Sequence, residues 1–100
     1  MIGLLRLEVM IPHAASLKEK RAAIRPMMAA LAREFGASVA EVGRQDSHRH
    51  GVIAVCVVGD DGRHVNGVMS KAQDRAAGWT GEAMLATSRL ELIEAGDATG

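Results

Sequence analysis

Aromatic side chains are almost missing from this chain: Phe35 and Trp79 stand alone, and there is no Tyr. A sheet that reads single-stranded RNA by stacking its bases needs aromatics on its strands, so that mode is disfavoured. Cysteine is as scarce. A single Cys56 rules out an internal disulfide and a zinc site built from several thiolates, and it points to a reducing compartment. An excess of one charge is also lacking, since twelve basic and twelve acidic side chains cancel. No overall field draws the protein to phosphate backbones or anionic lipid, and any such contact has to come from a local patch. Arg6 and Glu8 interrupt the opening hydrophobic stretch, and no later apolar run is long enough to span a bilayer. The expected location is cytoplasmic, with no membrane partner.

What the chain has in quantity is aliphatic. With 48% hydrophobic residues in a length of 100, it can bury one core and has no room for a second domain. Residues 1–93 are expected to form a single domain, and the small, polar stretch 94–100 a frayed tail.

From Ile2 to Ile11 the pattern alternates, with Leu5, Leu7, Val9 and Ile11 on one face and Arg6 and Glu8 on the other, which predicts a half-buried strand ended by Pro12. Ser16-Leu17-Lys18-Glu19 is a capping box in which the Ser hydroxyl accepts from the amide three residues on and Glu19 reaches back to the Ser16 amide. Leu17, Ile24, Met28, Leu31 and Phe35 then recur at helical spacing up to Gly36. Pro26 is the misfit, and a kink or reset is expected near Arg25. Ser38 to Gly43 and Gly51 to Gly59 read as a hairpin joined by 44–50, the second strand apolar at every position from Val52 to Val58 and so central. Asp60-Asp61-Gly62 supplies a turn and an N-cap for a helix marked by Val65, Val68, Met69, Ala72, Ala76 and Trp79. Glu82 to Ile93 reads as a fourth strand, with Met84, Ala86, Leu90 and Leu92 opposed to Thr87, Arg89 and Glu91.

This order predicts an α+β fold, the ferredoxin-like βαββαβ sandwich, with a four-stranded antiparallel sheet and two helices on one face. The other face is left bare. If Val52, Ala54, Cys56 and Val58 turn to the helices, then Ile53, Val55 and Val57 turn away and form an apolar stripe for a symmetric dimer or another partner.

Several of these segments together resemble the YlxP-like family of small bacterial proteins, a domain of unknown function. They are Ile2-Gly3-Leu4-Leu5, Ile11-Pro12, Ser16-Leu17-Lys18-Glu19-Lys20-Arg21, and Ser38-Val39-Ala40-Glu41-Val42 followed by Gln45-Asp46. The likeness runs from Met1 to about Ile93, and it departs at Ser47-His48, where many relatives place a bulky hydrophobic pair. The resemblance implies a ferredoxin-like fold and no established activity. The family's genes lie in many bacteria among those for transcription elongation, translation initiation and ribosome maturation, which is association and not mechanism.

The candidate binding surface comprises Lys18, Arg21 and Arg25 on the first helix and Arg44, Gln45, Asp46, His48, Arg49 and His50 in the hairpin. Cations three and four residues apart on a helix can grip successive phosphates; read structurally, they are its solvated face. The His48-x-His50 pair could approach a metal ion, but a third ligand is not visible, and exposed histidines are the ordinary reading. Pro12-His13-Ala14-Ala15 lacks the glycines and arginine of an acylphosphatase anion cradle. Cys56, in apolar company, reads as an inert core filler. No catalytic residue, resident metal or cofactor is assigned. The expectation is a non-enzymatic homodimer bound to RNA or a ribosome-associated partner; the alternative is a regulatory dimer taking a metal or small anion at the 44–50 hairpin.

Overall fold

The computed structural model describes residues 1–94; the expected fraying of the tail beyond Glu94 lies outside the described residues. Strand β1 (Ile2–Met10), helix α1 (Leu17–Phe35), strands β2 (Ser38–Gly43) and β3 (His50–Val58), helix α2 (Gly62–Ala77) and strand β4 (Met84–Ile93) follow in that order. The four strands form one sheet in the order β2-β3-β1-β4, every neighbouring pair antiparallel. This is the α+β, ferredoxin-like layout that the alternation and capping signals predict.

Helix α1 begins where its capping box says. The Glu19 amide donates to Ser16 Oγ at 3.1 Å, while Glu19 Oε2 accepts from the Ala15 amide at 2.7 Å, one residue earlier than the box predicts. Gly36, at φ +60°, closes the helix in the left-handed conformation that a glycine adopts without strain, and its amide donates to the Ala32 carbonyl. Pro26 does not divide α1, which runs unbroken through it. Both Pro26 and Ala22 are exposed, so the carbonyl that loses its helical donor can turn to water.

Ala23, Ile24, Met27 and Leu31 of α1 and Val65, Met69, Ala72 and Ala76 of α2 pack on Leu5, Leu7, Val9, Ile53 and Val55 of the sheet. Each large aliphatic side chain removed from water contributes about 1.5 to 3 kcal/mol. Helix α2 lies close on β1 because Gly3 has no side chain: a Cβ there would stand 2.5 Å from Met69 Cγ and 2.8 Å from Val65 Cγ1.

The faces of β3 are the reverse of the sequence expectation. Ile53 and Val55 are 0% exposed under the helices, and Val57 packs against the same core. The register explains the inversion, since Leu5 pairs with Val55 and Leu7 with Ile53, and residues directly opposite share a face. Ile53, Val55 and Val57 therefore do not form a surface for a partner. The open face carries instead Val52, Ala54, Cys56 and Val58, so Cys56 lies outside the helix-covered core. In β4, Leu90 and Leu92 face the helices and Thr87, Arg89 and Glu91 the open side, as the alternation predicts; a bulge between Glu8 and Val9 resets only its start, so that Leu85 joins the helix side and Met84 the open side. Among the described residues, no helix is long and apolar enough to cross a membrane.

Candidate functional site

The centre of the 44–50 hairpin is a lysine from another element. Lys20, on the inward stripe of α1, is 1% exposed, the one buried charged side chain among the described residues. Its ammonium donates to the carbonyls of Arg44 at 2.8 Å, Ser47 at 2.6 Å and His50 at 2.9 Å. An ammonium has three protons, and three carbonyls use them. Glu41 Oε2 lies 2.6 Å from the same nitrogen, yet it finds no directed hydrogen-bond donor. The carboxylate thus acts as a counter-charge, and the carbonyls as the hydrogen-bond acceptors.

The loop needs such an anchor. Arg44 adopts φ 55°, the left-handed region that costs a non-glycine residue free energy and persists where surroundings hold it. Its carbonyl accepts from both Lys20 and the Ser47 amide, at 3.0 Å for the latter. Gln45 Nε2 donates to the Glu41 carbonyl at 3.0 Å, and Arg49 Nε donates to the Ala14 carbonyl at 3.3 Å. The Ile11 amide donates to the Arg49 carbonyl at 2.9 Å. The hairpin is thereby held against both the β1–α1 connection and the first turns of α1.

Two parts of the predicted surface, well separated in sequence, therefore meet at one end of the molecule. Helical spacing places Lys18, Arg21 and Arg25 on neighbouring outward positions, all exposed. They lie on the flank away from α2, because Ala22, Ala23 and Pro26 line a cavity with Trp79 on the other flank. Asp46, Ser47, His48, Arg49 and His50 line a shallow depression of about 420 Å³. Not all the predicted residues share one surface. Glu8, on the open sheet face, is held below the ordinary glutamate range chiefly by hydrogen bonds from Thr87 and Arg6 and least by the charge of Arg44, which places Arg44 toward that face. His50, paired with Met10, lies on the same face by register.

Unpaired cations are concentrated toward this end. Among the described residues, Arg6, Lys20, Arg33 and Arg75 lie in ion pairs; of the eight other cations, Lys18, Arg21, Arg25, Arg44 and Arg49 belong to α1 and the hairpin, and Arg63, Lys71 and Arg89 lie elsewhere. Of the neighbouring acids, Glu41 is committed to Lys20, Glu19 accepts from a backbone amide, and Asp46 is exposed in the hairpin and in no ion pair among the described residues. Elsewhere Glu34 is held below the ordinary glutamate range by hydrogen bonds from Arg75, whose guanidinium also stacks 4.9 Å from the centre of the Trp79 ring. Among the described residues, no three His, Cys, Asp or Glu side chains converge as a metal site would require.

Sequence reasoning picked out the exposed cations and passed over Lys20 and Glu41, which organise the loop. The signal for Lys20 was present: it stands three, four and seven residues before Ala23, Ile24 and Met27, on the stripe that α1 buries.

No curated protein matches the chain. The family model described as "Protein of unknown function (DUF503)" matches residues 2–89, nearly all of the domain, and the chain belongs to that family.

Proposed function

We propose that the protein is a non-catalytic RNA-binding module that grips the phosphate backbone of structured RNA, ribosomal RNA included, with Lys18, Arg21 and Arg25 of α1 and the neighbouring rim of the 44–50 hairpin. The observation that carries this reading is the concentration at one end of cations without acidic partners among the described residues, beside a loop fixed by Lys20. A neutral protein can bind a polyanion only through such a patch. Backbone binding needs point charges on a rigid frame and no aromatics, which suits a sheet that carries none. The resemblance to the YlxP-like family, with its genes among those of translation and ribosome maturation, supports the same direction.

The test is retention of a structured RNA fragment by the full chain as salt is raised. Reversing Lys18, Arg21 and Arg25 to Glu weakens retention and lowers the slope of log affinity against log salt by roughly 2 to 3, close to one unit for each phosphate no longer neutralised. Retention indifferent to salt and to the triple reversal refutes the proposal. The depression lined by Asp46 to His50 favours a second reading, in which a small anion binds beside His48; titration of the protein with inorganic phosphate, followed at the histidine resonances, tests it.

A further inference from the structure

The open face of the sheet is divided along its width. Its β2–β3 half is apolar and mostly low, with Ala40, Ala54 and Cys56 at its middle and Val42 and Val58 toward its ends. Its β1–β4 half carries a charged ladder across its middle, with Met10 and Met84 at one end and Ile93 at the other. Arg6 stands directly opposite Arg89, Glu8 opposite Thr87, and Leu4 opposite Glu91. Within the ladder Arg6 pairs with Glu8 at 3.1 Å, and Thr87 Oγ1 donates to Glu8 at 2.7 Å. Arg89 and Glu91 are exposed and, among the described residues, in no ion pair. Of the six exposed large hydrophobic side chains, Met10, Val42, Val58, Met84 and Ile93 belong to this face and only Leu92 does not. Contiguous exposed apolar surface of this kind marks an interaction site.

We propose that this face is the seat of a second copy of the chain, packed sheet on sheet about a two-fold axis that lies in the interface and crosses the strands between the Arg6 and Leu4 rows. That axis is the one that satisfies the charges. It sets Arg89 of each copy over Glu91 of the other, twice, because the two are two residues apart on one strand face and the axis exchanges their rows. It also lays the β2–β3 half of one sheet on the same half of its partner, where Ala54 meets Cys56 and small side chains allow close approach. An axis parallel to the strands would put apolar half on charged half instead. Strands of nine, six, nine and ten residues spaced about 4.8 Å offer roughly 550 Å² per copy, or about 1,100 Å² in all, above the roughly 1,000 Å² that a specific interface needs. The dimer stands independently of RNA binding, since none of Lys18, Arg21 and Arg25 lies on this face.

Sedimentation of the full chain across a range of concentrations tests it. The expected result is twice the 10.6 kDa chain mass at high concentration, with Ala54→Arg monomeric and its thermal melt retained. Arg89→Glu weakens association about tenfold by setting Glu against Glu at both reciprocal contacts. The double variant Arg89→Glu with Glu91→Arg restores association, which separates a charge contact from a folding defect. Cys56, the one cysteine, reports on the same face: its alkylation slows as dimer forms. A wild-type chain that stays monomeric at about 100 μM overturns the proposal, as does a charge swap that fails to recover association.

Discussion

Lys20→Met is the sharpest probe of the candidate site. Methionine keeps the aliphatic stem on the core stripe of α1 and removes only the ammonium. Three carbonyls, of Arg44, Ser47 and His50, then lose a donor, and Glu41, whose side chain is 16% exposed, keeps a charge with no counter-ion. An orphaned buried polar group costs about 1 to 3 kcal/mol, and breaking a buried ion pair from one side about 3 to 5 kcal/mol. The hairpin is at the surface, so water reaches part of the cage after it opens, and the terms do not simply add. The expected loss is about 3 to 5 kcal/mol out of the roughly 5 to 15 kcal/mol that holds a small domain folded. In a melt this is a fall of roughly 15 to 30 °C. Urea unfolding of the wild type, Lys20→Met, Glu41→Gln and the double variant completes a cycle. With Glu41 already neutral, Lys20→Met costs about 1 to 2 kcal/mol less, because no lone carboxylate is left behind. Lys20→Arg does not rescue, since a planar fork cannot reach three converging carbonyls. A loss below about 1 kcal/mol for Lys20→Met would refute the argument that this ammonium holds the hairpin.

Two further outcomes follow from close packing and from charge. Gly3→Ala drives a methyl group against Met69 and Val65 and is expected to destabilise by about 1 to 3 kcal/mol, read by urea unfolding; Gly67→Ala, whose Cβ would meet nothing, costs no stability and serves as the control. Glu34 titrates below its ordinary value because Arg75 donates to it, so its contribution is present above the unfolded-state value and is lost as the pH falls through the lowered folded-state value. Carboxyl NMR shows this directly: Arg75→Ala returns the Glu34 midpoint to the ordinary range, and an unmoved midpoint contradicts the assignment.

Elements and order were legible because local signals agreed with the fold. The capping box at Ser16, the stop at Gly36, the Asp61 cap and the alternation of β1 each name one element without reference to the others. The facing of β3 was not legible. Val-Ile-Ala-Val-Cys-Val-Val is apolar at both parities, so its own pattern cannot choose a face, and the choice is made by register against Leu5 and Leu7 of β1. The bulge at Glu8 and Val9 hid only the start of β4, because the extra residue there moves Met84 to the open side, while Leu90 and Leu92 stay opposed to Thr87, Arg89 and Glu91 as the alternation predicts. Lys20 was hidden by its neighbours. Lys18, Lys20 and Arg21 look alike in a charged run, and only the helical angle separates the buried cation from the exposed ones.

The scarcity of aromatics joins the two proposed surfaces into one arrangement. A sheet face without aromatics cannot stack bases, but it can lie flat on its own copy; a phosphate backbone has to be met elsewhere, and unpaired cations gather at the hairpin end of α1. An axis that crosses the strands reverses their direction between copies. The two hairpin ends then point away from each other, separated by about the length of a nine-residue strand, roughly 30 Å. A short RNA therefore engages one end at a time, and the dimer gains nothing from its second site. An RNA long enough to span both ends binds tighter by avidity, and Ala54→Arg, which separates the copies, removes that gain while leaving short-RNA affinity unchanged.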